Sequence, residues 1–154
     1  MATINGIKAG TTTIKAIFDG VESNGVSFTV SKASRSGAVS CNNVTYGSTV
    51  TATVSGNTEN GTVTWGITPG TGTATINSSG VVTPTKAGTV TVTAYVAETT
   101  NYAAYTATSK QITISQRTVT VTAPTVKTDT IRYTGSSQTL LSGNGSITPT
   151  PELF

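Results

Sequence analysis

The chain contains no histidine and a single cysteine, Cys41. Without histidine, imidazole-based catalytic triads are excluded, and without a cysteine cluster a structural zinc site is excluded. A single cysteine also excludes an internal disulfide. Because Arg35 is the one nearby residue that would lower the pKa of this thiol, we interpret Cys41 as a bystander rather than a reactive group.

Charged residues are also scarce, at 10% of 154 residues against about 25% in typical proteins. The nine basic residues stand singly, without interleaved aromatic residues, so the net charge of +3 does not predict a nucleic-acid groove. The acidic residues have no Asp-x-Asp spacing, and their one close pair is Asp19 with Glu22. A calcium site or a carboxylate pair for glycoside hydrolysis is therefore not expected. We expect no enzyme activity, no cofactor and no metal.

Long apolar runs are absent from the sequence. None approaches the roughly 18 residues needed to span a bilayer, so we expect no membrane insertion. The first residues lack the basic start and apolar stretch of a signal peptide. If the parent protein is exported, we expect this chain to be a fragment of it.

Threonine is abundant, at roughly a quarter of the chain, and it alternates with valine, isoleucine and alanine. β-branched side chains favour extended backbone, and a period of two predicts strands with methyl groups inward and hydroxyl groups outward. The alternation is clearest at 26–30, 49–54, 62–67, 89–96 and 105–114. With no window of helical periodicity, the sequence predicts an all-β fold.

An internal repeat organises the chain. The tetrapeptide Lys8-Ala9-Gly10-Thr11 recurs 78 positions later at Lys86-Ala87-Gly88-Thr89, each time before an alternating strand. This spacing is about the size of one small β-sandwich. We interpret Gly10 and Gly88 as strand entries with positive φ rather than ligand loops.

The repeat predicts three parts. Residues 1–33 would be the closing strands of a partial repeat, 40–116 a complete sandwich, and 117–154 the opening strands of a further partial repeat. The weaker pattern of 34–42 marks the first boundary. The two terminal pieces would either complete each other or be truncated and partly disordered. Completion between copies would give head-to-tail self-association by strand addition, and completion within one chain would require the ends to fold back past the central domain.

Four segments carry a family resemblance: TATV at 51–54, VTW at 63–65, ATINSSGVVT at 74–83 and KAGTVTVTA at 86–94. Over roughly 43–115 the chain resembles the group 2 bacterial immunoglobulin-like domain, which has a V-T-W strand, an A-T-V-D-x-x-G-V-V-T hairpin and a K-A-G-T-x-T-I-T-A strand in this order. Residues 4–10 can be laid on 82–88, and 123–141 resembles the opening of a related repeat in large surface proteins of gut bacteria.

The resemblance implies an immunoglobulin-like β-sandwich that serves as a tandem module, with neighbouring repeats as partners. It implies an extracellular location, on a bacterial cell surface or a phage virion. It supplies no catalytic residues.

Aromatic residues are the candidate binding groups. Tyr95, Tyr102 and Tyr105 surround one substantial loop, and we consider both an adhesive patch for glycan or protein and simple packing. Trp65 is either a sugar-stacking platform or a core residue, and core is favoured because Trp usually buries most of its area. Phe18 and Phe28 alternate in the phase of a core face.

The function predicted from these observations is that of a spacer or stalk module, which holds a binding region away from a surface. The alternative is an adhesin module that binds glycan or protein through the tyrosine-bearing loop. Seven core residues would carry the spacer role: Val54, Trp65, Ile76, Val82, Val92, Ile112 and Ile114.

Overall fold

The computed structural model describes residues 3–128 and 130–149 of the chain. The chain divides into two units, Met1–Gln116 and Arg117–Phe154, called unit 1 and unit 2 below. The described residues form short strands joined by loops, with a single-turn 3-10 helix at Thr58–Asn60. The all-β class predicted from the sequence is confirmed. No helix in the described ranges is long and apolar enough to cross a bilayer.

Strands form where threonine alternates with apolar residues, because stiff β-branched side chains suit a pleated, half-buried surface. In unit 1 they are β1 (Gly10–Ile14), β2 (Ile17–Phe18), β3 (Val21–Glu22), β4 (Val26–Val30), β5 (Val39–Ser40), β6 (Val44–Thr45), β7 (Val50–Thr51), β8 (Thr53–Val54), β9 (Val63–Pro69), β10 (Thr73–Ile76), β11 (Val81–Lys86), β12 (Gly88–Val96), β13 (Tyr105–Thr106) and β14 (Lys110–Ser115). In unit 2 they are β15 (Thr120–Thr122), β16 (Thr125–Val126), β17 (Leu141–Gly143) and β18 (Ser146–Thr148).

The longest strand, β12, is the centre of the larger sheet of a β-sandwich. One edge of β12, from Val90 to Val96, pairs antiparallel with the whole length of β9. The other edge pairs antiparallel first with β14 and then with β13. β14 in turn pairs with β6, and this pair is parallel.

The smaller sheet has the order β10, β11, β7, with antiparallel pairing throughout. β5 pairs antiparallel with β8 beside it. Pro84 is buried inside β11, opposite Ala74, where the register between β10 and β11 shifts. A bulge tolerates proline because the ladder is already interrupted there.

The core lies between these two layers and follows the period of two. Alternate residues of β12 point inward and are fully buried, while the threonines between them point outward. Of the seven predicted core residues, Val82, Val92, Ile112 and Ile114 are buried. The other three are partly buried and pack against the core cluster: Val54, Trp65 and Ile76.

The repeated glycines have the predicted backbone conformation. φ is +149° at Gly10 and +135° at Gly88, and each residue begins its strand. L side chains rarely adopt these angles. At Gly88 a Cβ would also lie 2.6 Å from the Thr71 carbonyl carbon. Turn geometry therefore accounts for glycine at both positions.

Before the sandwich, the chain forms the N-terminal hairpin, in which β1 pairs with β4 and β2 pairs with β3. The prediction that Phe18 and Phe28 belong to a core face is wrong. Phe18 is 85% exposed and Phe28 is 37% exposed. The residues around them do alternate between apolar and polar. Among the described residues, however, no second layer covers the hairpin, so the two phenylalanine side chains remain exposed to solvent.

The segment 34–42, which the sequence suggests as a boundary, contributes to the sandwich. Val39 and Cys41 are buried in the core cluster, and β5 pairs with β8. Ala38 also forms a parallel bridge with Thr108. The strand pattern of this segment is weak in the sequence because its two-residue strand is too short to show an alternation of apolar and polar residues.

Unit 2 consists of two short antiparallel pairs, β15 with β18 and β16 with β17. Pro124 separates β15 from β16, as its lack of an amide N–H predicts. Among the described residues of this unit none is buried. Unit 2 is therefore a set of paired strands without a core of its own.

Candidate functional site

Arg35 is the centre of the most connected polar cluster in unit 1. It lies between β4 and β5, and its Nε donates a hydrogen bond to the Ala103 carbonyl at 3.0 Å. Its Nη1 donates to the Thr58 carbonyl, and its Nη2 donates to the Ala97 carbonyl. Because a guanidinium presents several donors in one rigid plane, a single side chain binds the loop between β12 and β13 at two carbonyls and the loop between β8 and β9 at a third.

Two of the three candidate tyrosines pack on this guanidinium. Arg35 Cζ lies 5.8 Å from the ring centroid of Tyr102 and 5.4 Å from that of Tyr105, within the range of cation–π attraction. The Tyr105 hydroxyl donates to the Ser55 carbonyl, and the ring packs against the core. Tyr102 and Tyr105 are thus brought together, with part of each ring used in packing.

Tyr95 lies on the other face of the sheet. In β12 it lies between the buried residues Ala94 and Val96 and is opposite Thr106, whereas Tyr105 is opposite Val96. Since successive side chains of a strand point to opposite faces, Tyr95 and Tyr105 point apart. Tyr95 is 46% exposed. The three tyrosines do not form a single patch.

The loop that carries Tyr102 is bonded to the end of the N-terminal hairpin. The Ala33 amide donates to the Asn101 carbonyl at 2.7 Å, and the Ala103 amide donates to the Ala33 carbonyl at 2.9 Å. The Asn101 side-chain oxygen accepts a hydrogen bond from the Ala9 amide at 2.8 Å. An ion pair between Lys32 and Glu98, at 2.9 Å, spans the same junction. Hairpin and sandwich are therefore joined by backbone and side-chain bonds, and not by covalent connection alone.

Glu59 positions Asn101. The Glu59 carboxylate accepts hydrogen bonds from the Asn101 amide, at 3.2 Å, and from its Nδ2, at 2.8 Å. Glu59 and Asn60 both have left-handed backbone, with φ of +61° and +51°, which costs non-glycine residues about 1–3 kcal/mol each. Residues hold such conformations only when their surroundings fix them.

The pKa of Glu59 is lowered by this environment. The largest cause is the Thr99 hydroxyl, followed by the Asn101 side chain and amide, with a smaller contribution from Arg35. The buried Thr99 hydroxyl makes no hydrogen bond of ideal geometry, yet its dipole favours the charged carboxylate. We call Arg35, Glu59, Asn101, Tyr102 and Tyr105 the junction cluster.

The surface clefts near these residues are shallow. One of about 280 Å³ lies at the junction between Lys8, Val30 and Asn101. Another of about 300 Å³ is lined by Val63, Trp65 and Ile76. Drug-sized ligands usually occupy clefts of about 300–1,000 Å³. Trp65 is therefore neither fully buried nor a free platform, because it packs on the core and borders an open groove.

No three metal-ligating side chains of His, Cys, Asp or Glu come together within 3–128 and 130–149. Cys41 is buried, and burial raises the pKa of its thiol, an effect partly opposed by Lys110. The thiol is therefore kept neutral and shielded, in agreement with its interpretation as a bystander.

Sequence reasoning did not identify Arg35, Glu59 or Asn101 as functional residues. Their partners are distant in the chain: Arg35 bonds residues 22 to 68 positions away, and Asn101 bonds Ala9 across 92 positions. One signal was present, a lone arginine in a segment of small residues at 34–42. Comparison with known proteins adds no further assignment, since no protein-family model, curated protein or solved structure matches this chain.

Proposed function

We propose that this chain is a structural spacer module of the group 2 bacterial immunoglobulin-like kind. It would belong to a bacterial cell-surface or phage virion protein and hold a binding region away from that surface. The observation that carries the proposal is the junction cluster. Segments joined within one chain move relative to each other unless their interface prevents it, and here an arginine, an asparagine and a backbone bridge fix the end of the N-terminal hairpin against the sandwich.

Placement of the motifs supports the immunoglobulin-like assignment. VTW lies at the start of β9, ATINSSGVVT forms the β10–β11 hairpin, and KAGT leads into β12. Two layers pack around one core, with β12 and β14 supplying fully buried side chains. This is the arrangement that an aligned β-sandwich requires.

The spacer role is tested by the relative orientation of hairpin and sandwich in solution. Residual dipolar couplings of β1 and β4 should fit the same alignment tensor as those of β12 and β14. In an Arg35→Ala, Asn101→Ala double variant the hairpin couplings should shrink towards averaging. Tyr95→Ala is the matched control and should leave them unchanged. Two independent tensors in the unmodified chain would contradict a rigid spacer.

One observation favours the alternative, an adhesin module for glycan or protein. Tyr95 is exposed on the outer face of the large sheet, on the opposite side from Tyr105. Exposed tyrosines are enriched at binding hot spots. A glycan array probed with the chain and with Tyr95→Ala separates the two functions, because an adhesin would give a signal that this substitution removes and a spacer would give none.

A further inference from the structure

The N-terminal hairpin carries an apolar face that the described residues leave open. Residues paired directly across β1 and β4 share a face, which places Thr12 with Phe28 and Ile14 with Val26. Phe28 and Ile14 are each 37% exposed, and Val26 is 67% exposed. Natural proteins rarely leave such sheet faces and edges uncovered.

The same pairing occurs inside the sandwich, where the face is covered. Gly88 is opposite Ile114 and Val90 is opposite Ile112, just as Gly10 is opposite Val30 and Thr12 is opposite Phe28. In the sandwich these side chains are buried in one cluster. The opening strands of the sandwich, β5 to β8, and the residues between them contribute seven members of that cluster: Val39, Cys41, Val44, Tyr46, Val50, Ala52 and Val54.

Unit 2 repeats the pairing of β5 with β8 in its own strands β16 and β17. Val126 is opposite Leu141, as Val39 is opposite Val54, and the Lys127 amide donates to the Leu140 carbonyl beside that pair. A constant shift of 87 positions relates four of these seven apolar residues to apolar residues of unit 2, while the other three correspond to Thr128, Ser137 and Thr139. It places Val126, Ile131, Tyr133 and Leu141 on Val39, Val44, Tyr46 and Val54.

These apolar side chains of unit 2 are exposed, whereas Val39 and Val44 are buried and Tyr46 and Val54 pack on the core. Tyr133 is 96% exposed. Unit 2 therefore exposes, on and beside the β16–β17 pair, four apolar residues whose counterparts cover the core of the sandwich.

We infer that the opening strands of unit 2 in one copy of this chain cover the open face of the N-terminal hairpin in a second copy. The second copy is favoured over the same chain by the geometry of unit 1. The hairpin joins the sandwich at the loop beyond Val96, and the chain leaves unit 1 beside Gly88, at the other end of β12. The two ends of β12 are about 25–30 Å apart, the length of a nine-residue strand. Unit 2 of the same chain would therefore have to fold back along the sandwich to reach the hairpin.

An interface between two different surfaces of the same chain is heterologous. Each copy then keeps one free hairpin and one free unit 2, so copies add head to tail. This inference deepens the proposed spacer function, since it names a second copy of the chain as the neighbouring partner. It requires the apolar face of the hairpin to pack against the apolar side chains of unit 2, as the two layers of a β-sandwich pack face to face.

Sedimentation velocity of the full chain over a concentration series tests the inference. The unmodified chain should form species that lengthen with concentration. Phe28→Asp, on the hairpin face, and Val126→Asp, on the unit 2 face, should each remain monomeric. Ser27→Asp, next to Phe28 on the opposite face of β4, is the matched control and should associate like the unmodified chain.

Mixing the two defective variants provides the decisive measurement. Phe28→Asp keeps an intact unit 2, and Val126→Asp keeps an intact hairpin, so an equal mixture should form dimers and stop there. This result does not depend on whether either substituted element still folds. Nitrogen-15 labelling of Val126→Asp should show shifts confined to 10–30 when the unlabelled Phe28→Asp chain is added.

Three results would overturn the inference: an unmodified chain that stays monomeric at every concentration, a mixture that stays monomeric, or association that survives in either single variant. Failure here is distinguishable from failure of the spacer proposal. The orientation of hairpin and sandwich is measured on monomeric Val126→Asp, which cannot extend a chain of copies.

Discussion

At the residue scale, one arginine side chain holds together the loops at one end of the sandwich. Arg35 donates to the carbonyls of Ala97 and Ala103, in the loop between β12 and β13, and to that of Thr58, in the loop between β8 and β9. Loss of the guanidinium removes three hydrogen bonds to a charged group, two of which are partly buried. The positions of the loops at this end of the sandwich therefore depend on a side chain that is not part of the apolar core.

Arg35→Ala should lower the free energy of unfolding of unit 1 by about 1.5–3 kcal/mol, the range for hydrogen bonds to a charged group. Arg35→Lys should recover less than half of the loss, because an ammonium cannot reach the three carbonyls from one plane. Urea unfolding followed by Trp65 fluorescence measures both. Arg132→Ala, in unit 2, is the control, and an equal loss there would show that charge rather than the cluster matters.

Glu59 makes stability depend on pH. Its folded pKa lies below its ordinary value of 4.5, so the stabilisation it provides is present above that value and is lost as pH falls through the folded pKa. The unfolding free energies of the chain and of Glu59→Gln should therefore differ at neutral pH and converge in acid. Chemical unfolding across this range measures the difference. A difference between the chain and Glu59→Gln that stays constant across this range would refute the assignment.

At the scale of elements, the two-residue strand β5 contributes more than its length suggests. Val39 is buried, and β5 closes one side of the core through its pairing with β8. Burial of a valine side chain contributes about 1.5–3 kcal/mol. A short strand without visible alternation can thus be essential to a small sandwich.

Two fragments that differ only at their start test this contribution. A fragment of 34–116 should unfold with a free energy at least about 3 kcal/mol above that of 40–116, because the shorter one lacks both Val39 and Arg35. Amide dispersion in NMR spectra and urea melts compare them. Equal stability would mean that the sandwich begins at residue 40, as the sequence alone suggests.

At the scale of the whole molecule, burial is distributed unevenly. The fully buried side chains lie in the sandwich, while the described residues of the N-terminal hairpin and of unit 2 are exposed or partly exposed. Local opening requires little free energy where few apolar contacts are lost. The molecule should therefore behave as one stable body with two weakly protected ends.

Amide hydrogen exchange at high dilution, where copies do not associate, measures this difference. Amides of β12 and β14 should exchange only through global unfolding, whereas those of β15 to β18 should exchange many-fold faster. Raising the concentration should slow exchange in β16 and β17 if copies associate as inferred. Uniform protection across both units at high dilution would contradict the uneven burial.

The sequence by itself determined the strand content, the inward phase of the long strands and the positive φ of Gly10 and Gly88. These features depend on neighbouring residues, because the alternation of side chains and the restriction of φ are local properties of the backbone. The same local rule assigned Ile112, Ile114, Phe18 and Phe28 to core faces.

Only the tertiary structure decided which of those faces is covered. Ile112 and Ile114 are buried because the opening strands pack over them, and Phe28 has the same phase without such a layer. The junction cluster was hidden for the same reason, since the hydrogen bonds of Arg35, Glu59 and Asn101 join residues 22 to 92 positions apart in the chain. Contact between residues so distant depends on how strands are ordered in the sheets, and no local pattern of residues records that order.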